Sequence, residues 1–367
     1  MRRASIATAA LTAAVLLAGC TAARQPVPPS PGAPATTGAQ AMRPVGTPTV
    51  IASGLEAPWS ILRLGDGDST LISERDSGVI MELTPEGRLR QAGTVPGVAA
   101  SGEGGLLGLE SLAADDRTLV YAHLTTDSDN RIVRMRLEGR PGSYSLGSPE
   151  AVLTGLAKAG NHDGGRIKFG PDGMLYATVG DAGVSDRAQD PHSLNGKILR
   201  MTPTGEAPED NPTAGSLVYS LGHRNPQGLA WNEDGTLFAA EFGQDTWDEF
   251  NLISAGSDYG WPLVEGAGGR KGFVDPLAQW PTADASPSGL AYVRGTFFMA
   301  SLRGERLWAV QPDGTSTPYF DGEFGRIRDV AEGPDGTLWM LTGNTDGRGD
   351  PMAGDDRLLQ VGLEPVG

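Results

Sequence analysis

One short pattern recurs along the chain and limits the fold more than any other feature. A Pro-Asp-Gly-like turn is followed by a small residue, a leucine, an aromatic residue and an alternating apolar stretch. The clear copies begin at Pro171-Asp172-Gly173, Glu233-Asp234-Gly235 and Pro334-Asp335-Gly336. Weaker copies begin at Gly67-Asp68, Asp116-Arg117 and Gly295-Thr296. Asp-Gly suits a tight hairpin, because glycine accepts a positive φ without steric cost. The alternation that follows suits a strand with two different faces. Six units at intervals of roughly 40 to 60 residues match the blades of a propeller. A stacked solenoid needs shorter and more regular repeats, and an irregular β-sandwich leaves the repetition unexplained. The expected fold is therefore all-β, a six-bladed β-propeller of four-stranded antiparallel blades. Little chain remains after Gly336, while a strand-like Thr49-Val50-Ile51 precedes the first copy. That N-terminal strand is expected to complete the last blade and close the ring, which removes exposed sheet edges.

The 53 glycines and 27 prolines of this 367-residue chain agree with many short strands and turns. The N-terminus reads differently. Arg2 and Arg3 precede an apolar run from Ala7 to Ala18 that is too short for a comfortable membrane span. The run ends in Leu17-Ala18-Gly19-Cys20, which resembles a bacterial lipobox. Residues 1–19 are thus expected to be a lipoprotein signal peptide, with Cys20 the lipidated first residue of an exported protein held at the extracytoplasmic face of the membrane. Residues 20–47, rich in Ala, Pro and Thr, read as an unstructured tether, and 48–367 as the folded domain. Cys20 is the sole cysteine, so an intramolecular disulfide is excluded. The formal net charge of −16, with no basic patch, argues against a nucleic-acid partner.

Four segments carry residue types suited to chemistry. Gly160-Asn161-His162-Asp163-Gly164-Gly165-Arg166 sets a histidine among small and polar residues, where an imidazole can take a proton from an alcohol. Its bland reading is a surface turn. Gly222-His223-Arg224-Asn225 offers a fixed guanidinium for an oxyanion or carbonyl, or for nearby loop carbonyls. Glu241-Phe242-Gly243-Gln244-Asp245, with Glu249 and Asp258-Tyr259-Gly260-Trp261-Pro262 further on, supplies hard oxygen donors of the kind calcium takes. Gly325-Arg326-Ile327-Arg328-Asp329 puts two arginines two residues apart, so on a strand both face one side, where they suit a bound anion or a solvated edge paired with Asp329.

In content and in order these segments resemble the soluble quinoprotein glucose dehydrogenase and aldose sugar dehydrogenase family. Further matching pieces are Gly54 to Trp59, Thr70 to Arg75, Glu103-Gly104-Gly105-Leu106-Leu107-Gly108 and Leu194 to Arg200. The resemblance implies pyrroloquinoline quinone (PQQ) and calcium at the channel mouth and aldose sugars as substrates. It implies that His162 is the general base for the sugar C1 hydroxyl, with hydride passing to the quinone and a lactone as product. It gives Arg224 the developing charge on the quinone oxygen and Asn225 the same cofactor edge. Arg303, Arg326 and Arg328 would meet the cofactor carboxylates. Glu103 and Asn161 would border cofactor and sugar. Gly243 and Gln244 would offer carbonyls to calcium, and Glu249 and Tyr259 part of a second calcium site. The chain departs from the glucose enzyme at Glu103 (there Gln), Asn161 (there Asp), Arg303 (there Lys) and Gln244 (there Pro), which weakens glucose itself as the expected sugar. Two other functions compete. A lactonase-like hydrolase needs acidic metal ligands around the channel, where this chain places arginines. A non-enzymatic propeller binding glycan or protein would be indifferent to loss of His162. The electron acceptor is not legible, since no haem-binding Cys-x-x-Cys-His is present.

Overall fold

The structure is a computed structural model that describes residues 40–65, 69–114 and 117–367. The expected signal peptide, the lipidation site Cys20 and most of the tether lie outside these residues, as do the turn residues Gly67, Asp68 and Asp116. The described residues form six antiparallel sheets in sequence order around a channel. Their first strands are Pro58–Arg63, Leu106–Ala114, Ile167–Phe169, Asn225–Trp231, Pro287–Val293 and Ile327–Glu332. The second blade carries one extra short strand, Ser145–Leu146.

The repeated turn joins the first strand of a blade to the second. In the third blade Gly173 has φ 75°, and Gly170 N donates to Met174 O at 2.9 Å. The fourth and sixth blades repeat this with Gly235 and Gly336 at φ 78° and 69°. The leucine after each turn is buried in the blade. The apolar core is correspondingly divided into clusters between neighbouring blades. Leu71, Ile80, Leu106 and Met135 pack between the first two. Phe238, Phe250 and Phe297 pack between the fourth and fifth, with ring centroids 4.5 to 5.3 Å apart. Each such buried side chain contributes roughly 1.5–3 kcal/mol by leaving water.

The N-terminal strand closes the ring as expected. Met42–Ser53 pairs antiparallel with Arg357–Pro365, so the sixth sheet takes strands from both ends of the described chain. The strand begins ahead of the expected domain start at residue 48. Met42 is buried and its amide donates to Thr296 Oγ1 at 2.8 Å, which fixes the start of the strand.

Candidate active site

Strand direction decides which loops meet. The first strands of the third, fourth and sixth blades begin just after His162, at Asn225 and just after Arg326. Their starts therefore mark one end of the channel. Antiparallel pairing brings the loop between second and third strands back to that same end. Those loops are residues 180–196, 243–246, 302–306 and 343–356. The segments singled out in the sequence thus gather at one mouth.

His162 sits at φ 60°, in the left-handed region, between glycines that let the loop turn back on itself. Its amide donates to Glu103 Oε2 at 2.9 Å. Its Nδ1 lies 2.7 Å from Asp181 Oδ1. Asp181 also receives Trp261 Nε1 at 2.9 Å and Gly183 N at 2.8 Å. Burial works to raise the Asp181 carboxyl, but the hydrogen bond and charge of His162, with the other donors, outweigh it and hold it below its ordinary value. An ionised Asp181 ringed by donors puts the imidazole proton on Nδ1 and leaves the Nε2 lone pair free. None of the described residues hydrogen-bonds to that Nε2.

Glu103 meets donors on every side. Oε2 takes the amides of His162 and, at 3.2 Å, Asn225 Nδ2, while Oε1 pairs with Arg348 at 3.2 Å. All three contacts use it as an acceptor. Asn225 is equally engaged, since its Oδ1 accepts Gly164 N at 3.0 Å. Its side chain ties the His162 loop to Glu103. Asn161 is exposed at the rim beside Gly183.

The arginines form a surplus of positive charge. Arg326 and Arg328 are buried and do share one face, but their partner is Asp346, whose Oδ2 lies 2.9 and 3.2 Å from them. Asp329 belongs instead to Arg166, which stacks 4.3 Å from the Trp59 ring centre. Burial lowers Arg328 to about 10, with Asp346 opposing the shift. Arg224 is half-buried, its guanidinium 5.5 Å from the Trp261 ring centre, and its amide donates to Glu241. The Nε atoms of Arg224 and Arg326 are buried and meet no acceptor among the described residues. Arg303, on the 302–306 loop, is exposed and forms no ion pair with the other described residues. Two arginines on one aspartate, with unpartnered donors nearby, suit an anionic ligand.

The expected second metal pair is less open. The Tyr259 hydroxyl donates to Leu252 O at 2.7 Å and accepts Ser254 N at 2.9 Å. Glu249 accepts Asn251 Nδ2 at 2.9 Å and Gly266 N at 2.8 Å. Burial, then the Glu241 charge opposite it in the sheet, raises Glu249 to about 7. Among the described residues no group of three or more His, Cys, Asp or Glu side chains is placed to hold a metal. The Tyr259 hydroxyl is held by backbone partners as both donor and acceptor. Gly243 lines a small cavity at the mouth together with Arg224, Trp261 and Glu265, and Glu249 and Tyr259 line the same cavity. The sequence reading missed Asp181, Asp346, Arg348 and Glu265, and gave Trp261 no role. Asp181 had a signal, an acid among small residues in Gly180-Asp181-Ala182-Gly183, the same context that exposed His162.

The family profile for Glucose / Sorbosone dehydrogenase matches residues 55–353. The aldose sugar dehydrogenase YliI of Escherichia coli K12 is 30% identical over 336 residues, spanning 81% of this chain and 90% of that protein. Quinoprotein glucose dehydrogenase B of Acinetobacter calcoaceticus is 33% identical over 61% of this chain, a stretch that spans only 54% of the Acinetobacter protein. Among solved structures, the PQQ-bound aldose sugar dehydrogenase of Streptomyces coelicolor superposes with a TM-score of 0.83 at 49% identity, covering 88% of this chain and 98% of that one. Fold, site order and profile agree, and the chain belongs to the Glucose / Sorbosone dehydrogenase family.

Proposed function

We propose that this chain oxidises aldose sugars at C1 to lactones with PQQ as its cofactor and calcium beside it. The observation that carries the reading is the pairing, at one mouth, of a histidine whose Nε2 takes no hydrogen bond from the described residues and a set of arginines of which Arg224 and Arg326 keep an Nε without an acceptor among those residues. PQQ, when bound, supplies the two-electron acceptor, and calcium supplies a Lewis acid that polarises it. The site fits both. Arg326, Arg328 and Arg303 offer guanidinium groups to carboxylates. Arg224, with its buried free Nε, offers a donor to an oxygen that gains negative charge. The Gly243 and Gln244 carbonyls receive no hydrogen bond from the described residues and are hard oxygen donors.

The chain's own part is to bind the sugar and move a proton. His162 Nε2 takes the proton of the anomeric hydroxyl as hydride leaves C1, so the sugar loses two electrons and becomes the lactone. Asp181 stabilises the imidazolium that forms and keeps the ring in its productive tautomer. Glu103 fixes the backbone of the same histidine. A separate acceptor, from outside this chain, must then remove the two electrons.

Titrating the apoprotein with PQQ and calcium and then adding aldoses tests the reading. Saturable binding followed by a reduced-quinone spectrum supports it, and absence of binding sinks it. Export and lipid attachment at Cys20 belong to the same proposal, on the strength of Arg2, Arg3 and the Leu17 to Cys20 sequence. The Cys20→Ser variant should leave the membrane fraction; retention there would refute the anchor.

A further inference from the structure

The turn after the strand Leu237–Phe242 is wound around one carboxylate oxygen. Glu265 Oε1 accepts the amides of Gln244 at 2.7 Å, Asp245 at 3.1 Å, Thr246 at 3.0 Å and Trp247 at 3.2 Å. Four successive N–H groups converging on one point form a nest for an anion, here supplied by the chain itself. Burial works to raise the Glu265 carboxyl, yet these four bonds outweigh it and hold it below its ordinary value. The preceding amide is tied inward as well, since Gly243 N donates to Asp248 Oδ1 at 2.8 Å. The turn also needs glycine at 243, because a Cβ there would collide with Trp247 O and crowd Glu265 Oε1 at 2.9 Å.

Peptide planarity turns this into a statement about oxygens. The Gly243 carbonyl shares a peptide unit with the Gln244 amide, and the Gln244 carbonyl with the Asp245 amide. In a trans unit the C=O points opposite to the N–H. Drawing both amides onto Glu265 therefore directs both carbonyls away from it. We propose that Glu265 is a positioning residue that presents the Gly243 and Gln244 carbonyls as a preset pair of oxygen donors for calcium. The inference rests on the calcium part of the proposed function and adds to it the residue that builds the donor pair. Glu265 closes the segment that starts at Trp261, whose indole holds Asp181, so one short stretch secures both the base and the metal-facing turn.

The test uses the full chain with PQQ at saturating concentration, calcium as the titrant and the absorbance of the bound quinone as the readout. Wild type, Glu265→Ala and Glu265→Gln are compared. Removing an outer-shell partner should raise the half-saturating calcium concentration on the order of tenfold or more in the alanine variant. Glutamine keeps one oxygen for the four amides and should stay within about threefold of wild type. Hydrogen exchange without calcium should show amides 244–247 losing protection in the alanine variant only. Wild-type calcium affinity in Glu265→Ala would overturn the inference. So would a glutamine variant as weak as alanine, because that outcome makes the charge, or direct ligation by the carboxylate, the active feature. If wild type itself shows no calcium dependence, the calcium reading fails and this inference with it. That result appears in the wild-type curve alone and is thus separate from a failure of Glu265.

Discussion

Two histidines in this fold have nearly the same first partner and opposite characters. His162 Nδ1 lies 2.7 Å from Asp181, and His223 Nδ1 lies 2.8 Å from Glu241. Both are buried at the same end of the channel. They part at the second nitrogen. His223 Nε2 is 2.8 Å from Ser220 Oγ, and its ring stacks on Tyr259 with centroids 4.7 Å apart. His162 Nε2 takes no hydrogen bond from the described residues, and its backbone is held at φ 60°. A histidine–carboxylate pair is therefore no signature of catalysis by itself. What singles out His162 as the proposed base is an unused lone pair on a ring the fold has gone out of its way to aim.

The widest separation between the two should come from His162→Asn. Asparagine tolerates the left-handed backbone, so the loop is kept while the base is lost. Turnover should fall by about 10²- to 10⁴-fold, with PQQ affinity, read by absorbance titration, little changed. Equal turnover in this variant would erase the distinction. Asp181→Asn should come next, with turnover down by about 10²-fold. An amide has one oxygen for three donors, and its NH₂ favours the tautomer with the proton on Nε2, which blocks the base. If Glu241→Gln cost as much turnover with the protein still folded, the two carboxylates would be equivalent and the comparison wrong.

The contrast also explains what the sequence could reveal. Blade count was legible because each Asp-Gly turn and its leucine are local, and the closure by Met42–Ser53 followed from the scarcity of chain after Gly336. The first residues of that strand were read as tether because Pro44 and Gly46 spoil its alternation; at a sheet edge a missing proline N–H costs little. His162, Arg326 and Arg328 stood out as polar residues in apolar or glycine-rich settings. Their partners were harder to pair with them, because Asp181, Asp346 and Glu265 come from later loops of the same blades that strand pairing folds back to the mouth. Arg326 and Arg328 were rightly set on one face, yet the shared Asp346 belongs to the far side of the blade's second strand.

A smaller effect should follow from His223→Phe. Phenylalanine preserves the stack on Tyr259 but leaves Glu241 and Ser220 without their partner. Unfolding free energy, measured by denaturant, should drop by about 1–3 kcal/mol, with turnover of the folded protein near wild type. A large loss of turnover at unchanged stability would move His223 into the chemistry.

The smallest expected effect is in the acid limb of stability. Folding lowers the Asp181 carboxyl, so its contribution is present above the ordinary carboxylate range and is lost as pH falls through the lowered folded value. Asp181→Asn cannot titrate there. Denaturation midpoints taken between about pH 3 and 7 should therefore show wild type losing its advantage over the variant as the solution is acidified, with the two curves converging at the acid end. The direction matters more than the size, because part of the group's neighbourhood is open to solvent at the mouth and screening reduces the effect. Parallel curves would mean that Asp181 is not held ionised by the fold. The free Nε2 of His162 would then lose its physical cause.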